Sequence, residues 1–115
     1  MNPLIDPKAV TDLRTLGGDA FVGEVVSAFL RQARATFDRL GPAVTAQDRT
    51  LIQKSAHMMK SGAANLGAHP FADKCRTIES IAATADMQEL AKLVSEAESL
   101  FRETADALTQ IHKAA

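Results

Sequence analysis

The chain has 115 residues, of which 46% are hydrophobic and 23% are charged, and this composition is typical of a single globular domain. Thirteen Lys and Arg against fourteen Asp and Glu give a formal net charge of -1, which excludes a strongly basic nucleic-acid-binding surface and a polybasic membrane patch. One cysteine excludes a disulfide framework and a Cys-based zinc site. Because the chain shows neither a signal-peptide pattern nor an apolar run long enough to span a bilayer, we expect a cytoplasmic protein.

The first half of the chain is predicted to be helical, since helix-favouring residues dominate and no alternating strand pattern is present. A short helix is expected over residues 6–16, ended by the pair Gly17-Gly18. A long helix follows over residues 19–40, where Gly41 and Pro42 should stop it. The segment from Gly41 to Asp48 is then predicted to be a loop.

The second half continues the same pattern. A third helix is expected over residues 48–66, closed by Gly67, and Pro70 begins a fourth that extends to residue 83. After a break around residues 85–87, a fifth helix is predicted over residues 88–111. The connections are short, so we predict an all-α fold: one domain over residues 1–115, an antiparallel four-helix bundle with a short additional N-terminal helix.

His57 is the histidine that lies in the middle of a predicted helix. The apolar stripe of that helix consists of Ile52, Ala56, Met59, Ala63 and Leu66. Each residue of a helix is rotated by about 100° from the one before it, so His57 lies roughly 140° from Ile52, on the solvent side, and Lys60 follows one turn later. An imidazole is a good nucleophile near neutral pH, and an ammonium can offset the charge of a phosphate. The pair therefore indicates either a phosphoryl acceptor or an ordinary surface histidine beside a lysine.

Gly62 interrupts the same helix with a residue that costs about 1 kcal/mol relative to alanine in a helix interior. Two explanations are open at this point: close packing of another helix, or close approach of a partner protein.

The segment from Ala56 to Ala68 resembles the signature of histidine-containing phosphotransfer (HPt) domains. That signature is a histidine, an aliphatic residue two positions later, a lysine at the third position, a run of small residues, and then an aliphatic residue and a glycine. The matching residues here are His57, Met59, Lys60, Ser61 to Ala64, Leu66 and Gly67. The likeness extends over essentially the whole chain, and Leu16-Gly17-Gly18-Asp19 resembles the turn before the family's first long helix. One departure is Ser61, which stands where the family usually has glycine.

The resemblance implies a four-helix bundle in which His57 is the phosphoacceptor and Lys60 stabilises the phosphate. Glu79 lies at the spacing of the family's glutamine or glutamate that orients the histidine ring, although it is equally interpretable as an ordinary solvated residue. The implied docking surface for a receiver domain comprises Gln53, Lys54, Lys60, Ser61, Ala64, Asn65 and Ala68. Apolar residues of the first helix such as Leu13 are expected to extend it.

The function implied by the resemblance is that of a phosphocarrier without autonomous kinase activity. It accepts a phosphoryl group from the aspartyl phosphate of one receiver domain and passes it to another. Response-regulator receiver domains and a hybrid sensor histidine kinase are the implied partners, with Mg²⁺ on the receiver and no cofactor on this monomeric chain. Two alternatives stay open: a helical adaptor that binds a receiver or kinase without chemistry, and a metal-binding bundle, although the three histidines lack metal-ligand spacing. The chain is interpretable both as a free-standing carrier and as a domain of a larger kinase.

Overall fold

The computed structural model describes residues 3–114, with the side chains of residues 3–112, and every regular element in this part of the chain is an α-helix. The four helices are α1 (Pro7–Thr45), α2 (Arg49–Asn65), α3 (His69–Ile81) and α4 (Met87–Ala114). Each helix contacts the next one along the chain, and α1 also contacts α4, so the four form a closed ring around one core. The molecule measures 42 × 23 × 19 Å. The predicted all-α bundle is therefore confirmed.

A break at Gly18 divides α1 into a short leading helix and a long second helix. Gly18 has φ 83° and ψ 179°, a backbone conformation that glycine adopts far more readily than other residues. The leading helix begins after Asp6, whose side chain accepts a hydrogen bond from the backbone N–H of Lys8. The short additional helix, ended by Gly17 and Gly18, is where the sequence predicts it.

The end of α1 corrects the prediction for this region. The helix does not stop at Leu40 but continues through Pro42 to Thr45, so most of the predicted loop over residues 41–48 is helical. Proline lacks a backbone N–H and therefore removes one helical hydrogen bond, but here it sits in the last turns of the helix. The additional turn buries Ala43, which is 3% exposed, and this packing offsets the lost bond.

Four phenylalanine rings occupy the centre of the bundle. Phe29 and Phe37 come from α1, Phe71 from α3 and Phe101 from α4, and the centroids of neighbouring rings are 5.5 to 6.2 Å apart. The helix α2 closes this core with its predicted apolar stripe, every member of which is at most 3% exposed: Ile52, Ala56, Met59, Ala63 and Leu66. Burial of this stripe fixes which face of α2 points to solvent.

A backbone hydrogen bond to Gly67 connects the start of the leading helix to the end of α2. Gly67 has φ 72°, and its carbonyl oxygen accepts a hydrogen bond of 2.8 Å from the N–H of Asp6. A Cβ at this position would lie 2.8 Å from the carbonyl oxygen of Asp6 and 2.8 Å from the Cβ of Ala9.

We therefore expect Gly67→Ala to lower the free energy of unfolding by about 1–3 kcal/mol, measured by urea denaturation. The control Asn65→Ala, at an exposed position two residues earlier, should change it by less than about 0.5 kcal/mol; equal stabilities of the two variants would contradict this account.

Candidate functional site

His57 lies on the solvent face of α2, as the helical periodicity predicts. Its side chain is 62% exposed, whereas Ala56 and Met59, its neighbours on the apolar stripe, are buried. Ser61, one turn later on the same face, is exposed, and its hydroxyl donates a hydrogen bond of 3.3 Å to the carbonyl oxygen of His57. The imidazole is therefore accessible to a visiting molecule.

The helix α3 brings Glu79 against the ring of His57. The distance between His57 Nδ1 and Glu79 Oε2 is 2.6 Å. An ionised carboxylate can only accept hydrogen bonds, so Nδ1 must carry the proton. In the neutral ring, Nε2 then has a free lone pair and is the nucleophilic nitrogen. Glu79 lies where the resemblance implies, in contact with the histidine, and its role in chemistry stays a prediction.

Lys60 contacts the other oxygen of the same carboxylate. Its Nζ donates a hydrogen bond of 2.6 Å to Glu79 Oε1, and the side chains of Lys60 and Glu79 are 28% and 21% exposed. This bond, aided by the one from His57, lowers the pKa of Glu79 from its ordinary value of 4.5, while desolvation acts in the opposite direction. Glu79 is therefore ionised at neutral pH. The role of Lys60 in stabilising a phosphate stays a prediction, because here its ammonium binds a carboxylate.

The lowered pKa of Glu79 has a consequence for stability. A carboxyl group whose pKa is lower in the folded than in the unfolded chain stabilises the fold above its unfolded pKa, and this contribution disappears as the pH falls through the folded pKa. Wild type should therefore be more stable than Glu79→Gln at about pH 5.5, and the difference should shrink toward about pH 3. Urea denaturation of both proteins over this range measures the difference. A difference that is constant with pH would contradict the ion pair.

Gly62 is explained by helix packing. A Cβ at this position would lie 2.9 Å from Cδ1 of Phe29, on α1. Alanine here would require the ring of Phe29, a member of the central cluster, to move. Of the two explanations for Gly62 that the sequence left open, the close approach of α1 is the one that the structure supplies. The residue that faces outward beside it is Ser61.

Most of the predicted docking residues lie on one exposed face. The side chains that are exposed belong to Gln53, Lys54, Ser61, Ala64 and Asn65, and Lys60 is half-buried. Ala68 contradicts the prediction: it is 0% exposed, because the chain turns back into the bundle at Gly67 and the N–H of Ala68 bonds to the carbonyl oxygen of Ala63. It therefore does not belong to a docking surface.

Two large hydrophobic side chains are exposed in the structure, and the sequence analysis assigned neither of them to the docking surface. Met58 follows His57 directly and is 43% exposed. On the leading helix, Leu16 is 77% exposed, whereas Leu13, the residue expected to extend the surface, is half-buried against the core. The exposure of Met58 could have been predicted from the sequence, because its position on the helix lies about 120° from Ile52, outside the apolar stripe.

The other residues with reactive or metal-binding side chains do not form a second centre. Cys75 is fully buried, and desolvation raises the pKa of its thiol to about 12, so it is not a nucleophile at neutral pH. His69 lies 3.8 Å from a carboxylate oxygen of Asp6, and the ring of His112 packs over Gly23. Over the described residues, no three His, Cys, Asp or Glu side chains are grouped so that they could hold a metal ion. None of the helices within residues 3–114 has an apolar stretch suited to crossing a bilayer.

Comparisons with known proteins agree with this architecture. The sequence profile of the Hpt domain family, described as "Hpt domain", matches residues 24–114. Among solved structures, histidine-containing phosphotransfer protein B (HptB) from Pseudomonas aeruginosa PAO1 is similar, with a TM-score of 0.89 and 22% sequence identity, over 100% of this chain and 99% of that chain. No curated protein sequence matches the chain. At this identity the structural likeness shows the fold, and the profile match extends over most of the chain.

Proposed function

The chain belongs to the Hpt domain family and is a histidine phosphotransfer protein of a phosphorelay, and we propose that His57 is the residue that carries the phosphoryl group. The observation that supports this most directly is the 2.6 Å hydrogen bond between Nδ1 of an exposed His57 ring and the Glu79 carboxylate. This bond selects the tautomer in which Nε2 is unprotonated. A nucleophile with a fixed tautomer on an open surface is what transfer between two proteins requires.

The proposed step is a direct phosphoryl transfer from an aspartyl phosphate. The lone pair of His57 Nε2 attacks phosphorus, a P–N bond forms, and the bond between phosphorus and the aspartyl oxygen breaks, so that the aspartate leaves as a carboxylate. The ring keeps its Nδ1 proton and becomes positively charged, and the Glu79 carboxylate stabilises that charge at 2.6 Å. The reverse reaction transfers the group to a second receiver. Because phosphoryl transfer depends mainly on positioning and charge, this chain needs no cofactor, and we expect the receiver to supply Mg²⁺.

The surface around His57 is the proposed docking site for receiver domains and for the receiver of a hybrid sensor histidine kinase. It consists of Gln53, Lys54, Met58, Ser61, Ala64 and Asn65. Small side chains beside the histidine let a partner bring its aspartyl phosphate to Nε2. An interface of this transient kind is small, and we expect the chain to act as a cytoplasmic monomer that binds neither nucleic acid nor membrane.

We expect a phosphocarrier without kinase activity of its own. The sequence has no glycine-rich loop that would hold the phosphates of ATP. The adaptor alternative is not favoured, because an adaptor has no need of an imidazole whose tautomer is fixed by a carboxylate. Membership in the Hpt domain family favours the carrier as well.

The experiment that tests the proposal is phosphotransfer from phosphorylated receiver domains of the source organism. We expect a phosphate that is labile in acid and stable in base, located on His57 by tandem mass spectrometry and on Nε2 by ¹⁵N and ³¹P NMR. Phosphate located on another residue, or on none after mixing with every receiver domain, would overturn the proposal.

A further inference from the structure

An open cleft of about 400 Å³ lies beside the ring of His57, and Lys54 is one of the residues that line it. The other lining residues are Gln53 and Glu79. A helical side chain leans toward the N-terminal end of its helix, so His57 covers the turn of α2 that holds Gln53 and Lys54. Lys54 and His57 are three residues apart and are therefore neighbours on one face of the helix. The flexible four-carbon side chain of Lys54 can thus reach a group bound to the ring.

The ammonium of Lys54 is free to bind a ligand. Its side chain is exposed, and it makes no hydrogen bond or ion pair within the part of the chain that the structure describes. Lys60 differs, because its ammonium is bound to Glu79. The same carboxylate occupies Nδ1 of His57, so the ring nitrogen left to accept a phosphoryl group is Nε2. Lys54 is therefore the uncommitted cation beside the reacting nitrogen.

The charges of the site indicate what this cation would bind. A phosphoryl group carries close to two negative charges at neutral pH, and the ionised Glu79 carries one more. The cations that face them are Lys60 and the ring of His57, which becomes positively charged on phosphorylation. One negative charge is left without a counter-charge. An exposed ammonium that lines the cleft can balance it.

Taking His57 as the phosphoacceptor, on which this inference rests, we propose that Lys54 is a further catalytic residue whose ammonium binds the phosphoryl group at Nε2 in the cleft. Lys54 stabilises the charge of the group while it is transferred and after it has bound. Its role is then distinct from attraction of a receiver domain, since it extends to a donor that is not a protein.

The first test is the ionisation of the phosphoryl group itself, followed by ³¹P NMR of the phosphorylated protein between about pH 5.5 and 8.5. An ammonium in contact with the group stabilises its dianion, so removal of the ammonium raises the pKa of the phosphoryl group. Lys54→Gln should therefore titrate at higher pH than wild type, whereas Lys54→Arg, which keeps the positive charge, should titrate as wild type does.

Lys92→Gln, which removes an exposed lysine of α4, is the matched control for this titration and should leave it at the wild-type position. A curve that is unchanged in Lys54→Gln would overturn the proposal. Equal shifts in the two glutamine variants would overturn it as well, because they would reflect the net charge of the protein and not a contact with the phosphoryl group.

The second test is the rate at which phosphoramidate, a small phosphodonor, phosphorylates His57, measured by intact-protein mass spectrometry. Nε2 attacks phosphorus, the P–N bond of the donor breaks, and its protonated amine leaves as ammonia. Loss of one charge-assisted contact at an exposed site should slow this reaction roughly fivefold in Lys54→Gln. Lys54→Arg and Lys92→Gln should react at close to the wild-type rate. If Lys54→Gln slows transfer from a receiver domain but leaves the phosphoramidate reaction unchanged, Lys54 serves docking alone and the proposal is wrong.

The inference and the proposed function fail in different ways. Wild-type protein that takes up no phosphate on His57 contradicts the proposed function. Wild-type protein that is phosphorylated there, with the same titration and the same rate in Lys54→Gln, contradicts only the role of Lys54.

Discussion

Replacing His57 with glutamine is expected to abolish phosphorylation by a receiver domain. Glutamine has no ring nitrogen with a free lone pair, so the P–N bond cannot form at this position. Because His57 is 62% exposed, the free energy of unfolding should change by less than about 1 kcal/mol. The absence of phosphorylation is then caused by the missing nucleophile and not by unfolding of the variant. Radiolabel transfer from a phosphorylated receiver, together with urea denaturation of the variant, measures both quantities.

His69→Gln is the matched control for this experiment. His69, at the start of α3, has a side chain that is 58% exposed, close to the exposure of His57, but it faces the carboxylate of Asp6 at 3.8 Å. This variant should accept phosphate as wild type does. Acid-labile phosphate on the His57→Gln protein, or its loss from the His69→Gln protein, would show that the acceptor has been assigned to the wrong residue.

The parts of the structure that could be predicted from the sequence are those that depend on local geometry. The burial of Ile52 and the exposure of His57 follow from a rotation of about 100° per residue along one helix. The break at Gly18 follows from the chemistry of glycine. Such features need no knowledge of which helices meet.

The parts that were missed depend on tertiary contacts. The helix passes Pro42 because Ala43 has a core to pack against, and the sequence alone does not show that core. A helix extended to Ala68 would place it on the exposed face of α2, but the turn at Gly67 directs it into the bundle. The contact between Lys60 and Glu79 joins residues 19 positions apart, and it depends on the register of α2 against α3.

A glutamate at Ala64 is expected to block transfer between proteins while leaving the chemistry of His57 intact. Ala64 is exposed on the face of His57, two turns further along α2, or about 10 Å along its axis. A carboxylate buried there by a docked receiver, without a partner, costs about 3 kcal/mol and should slow transfer from the receiver about 100-fold. Phosphoramidate needs no docking and should phosphorylate this variant at the wild-type rate.

The comparison with Ser99→Glu separates docking from a general effect of added charge. Ser99 is an exposed residue of α4, which packs beside α1 and α3 and lies across the ring from α2, so the same acidic side chain lies away from the docking face. This variant should receive phosphate from the receiver at the wild-type rate. If Ala64→Glu slows both donors equally, the substitution disturbs the histidine itself. If it slows neither, the receiver binds elsewhere, since a carboxylate under a docked partner cannot be neutral in effect.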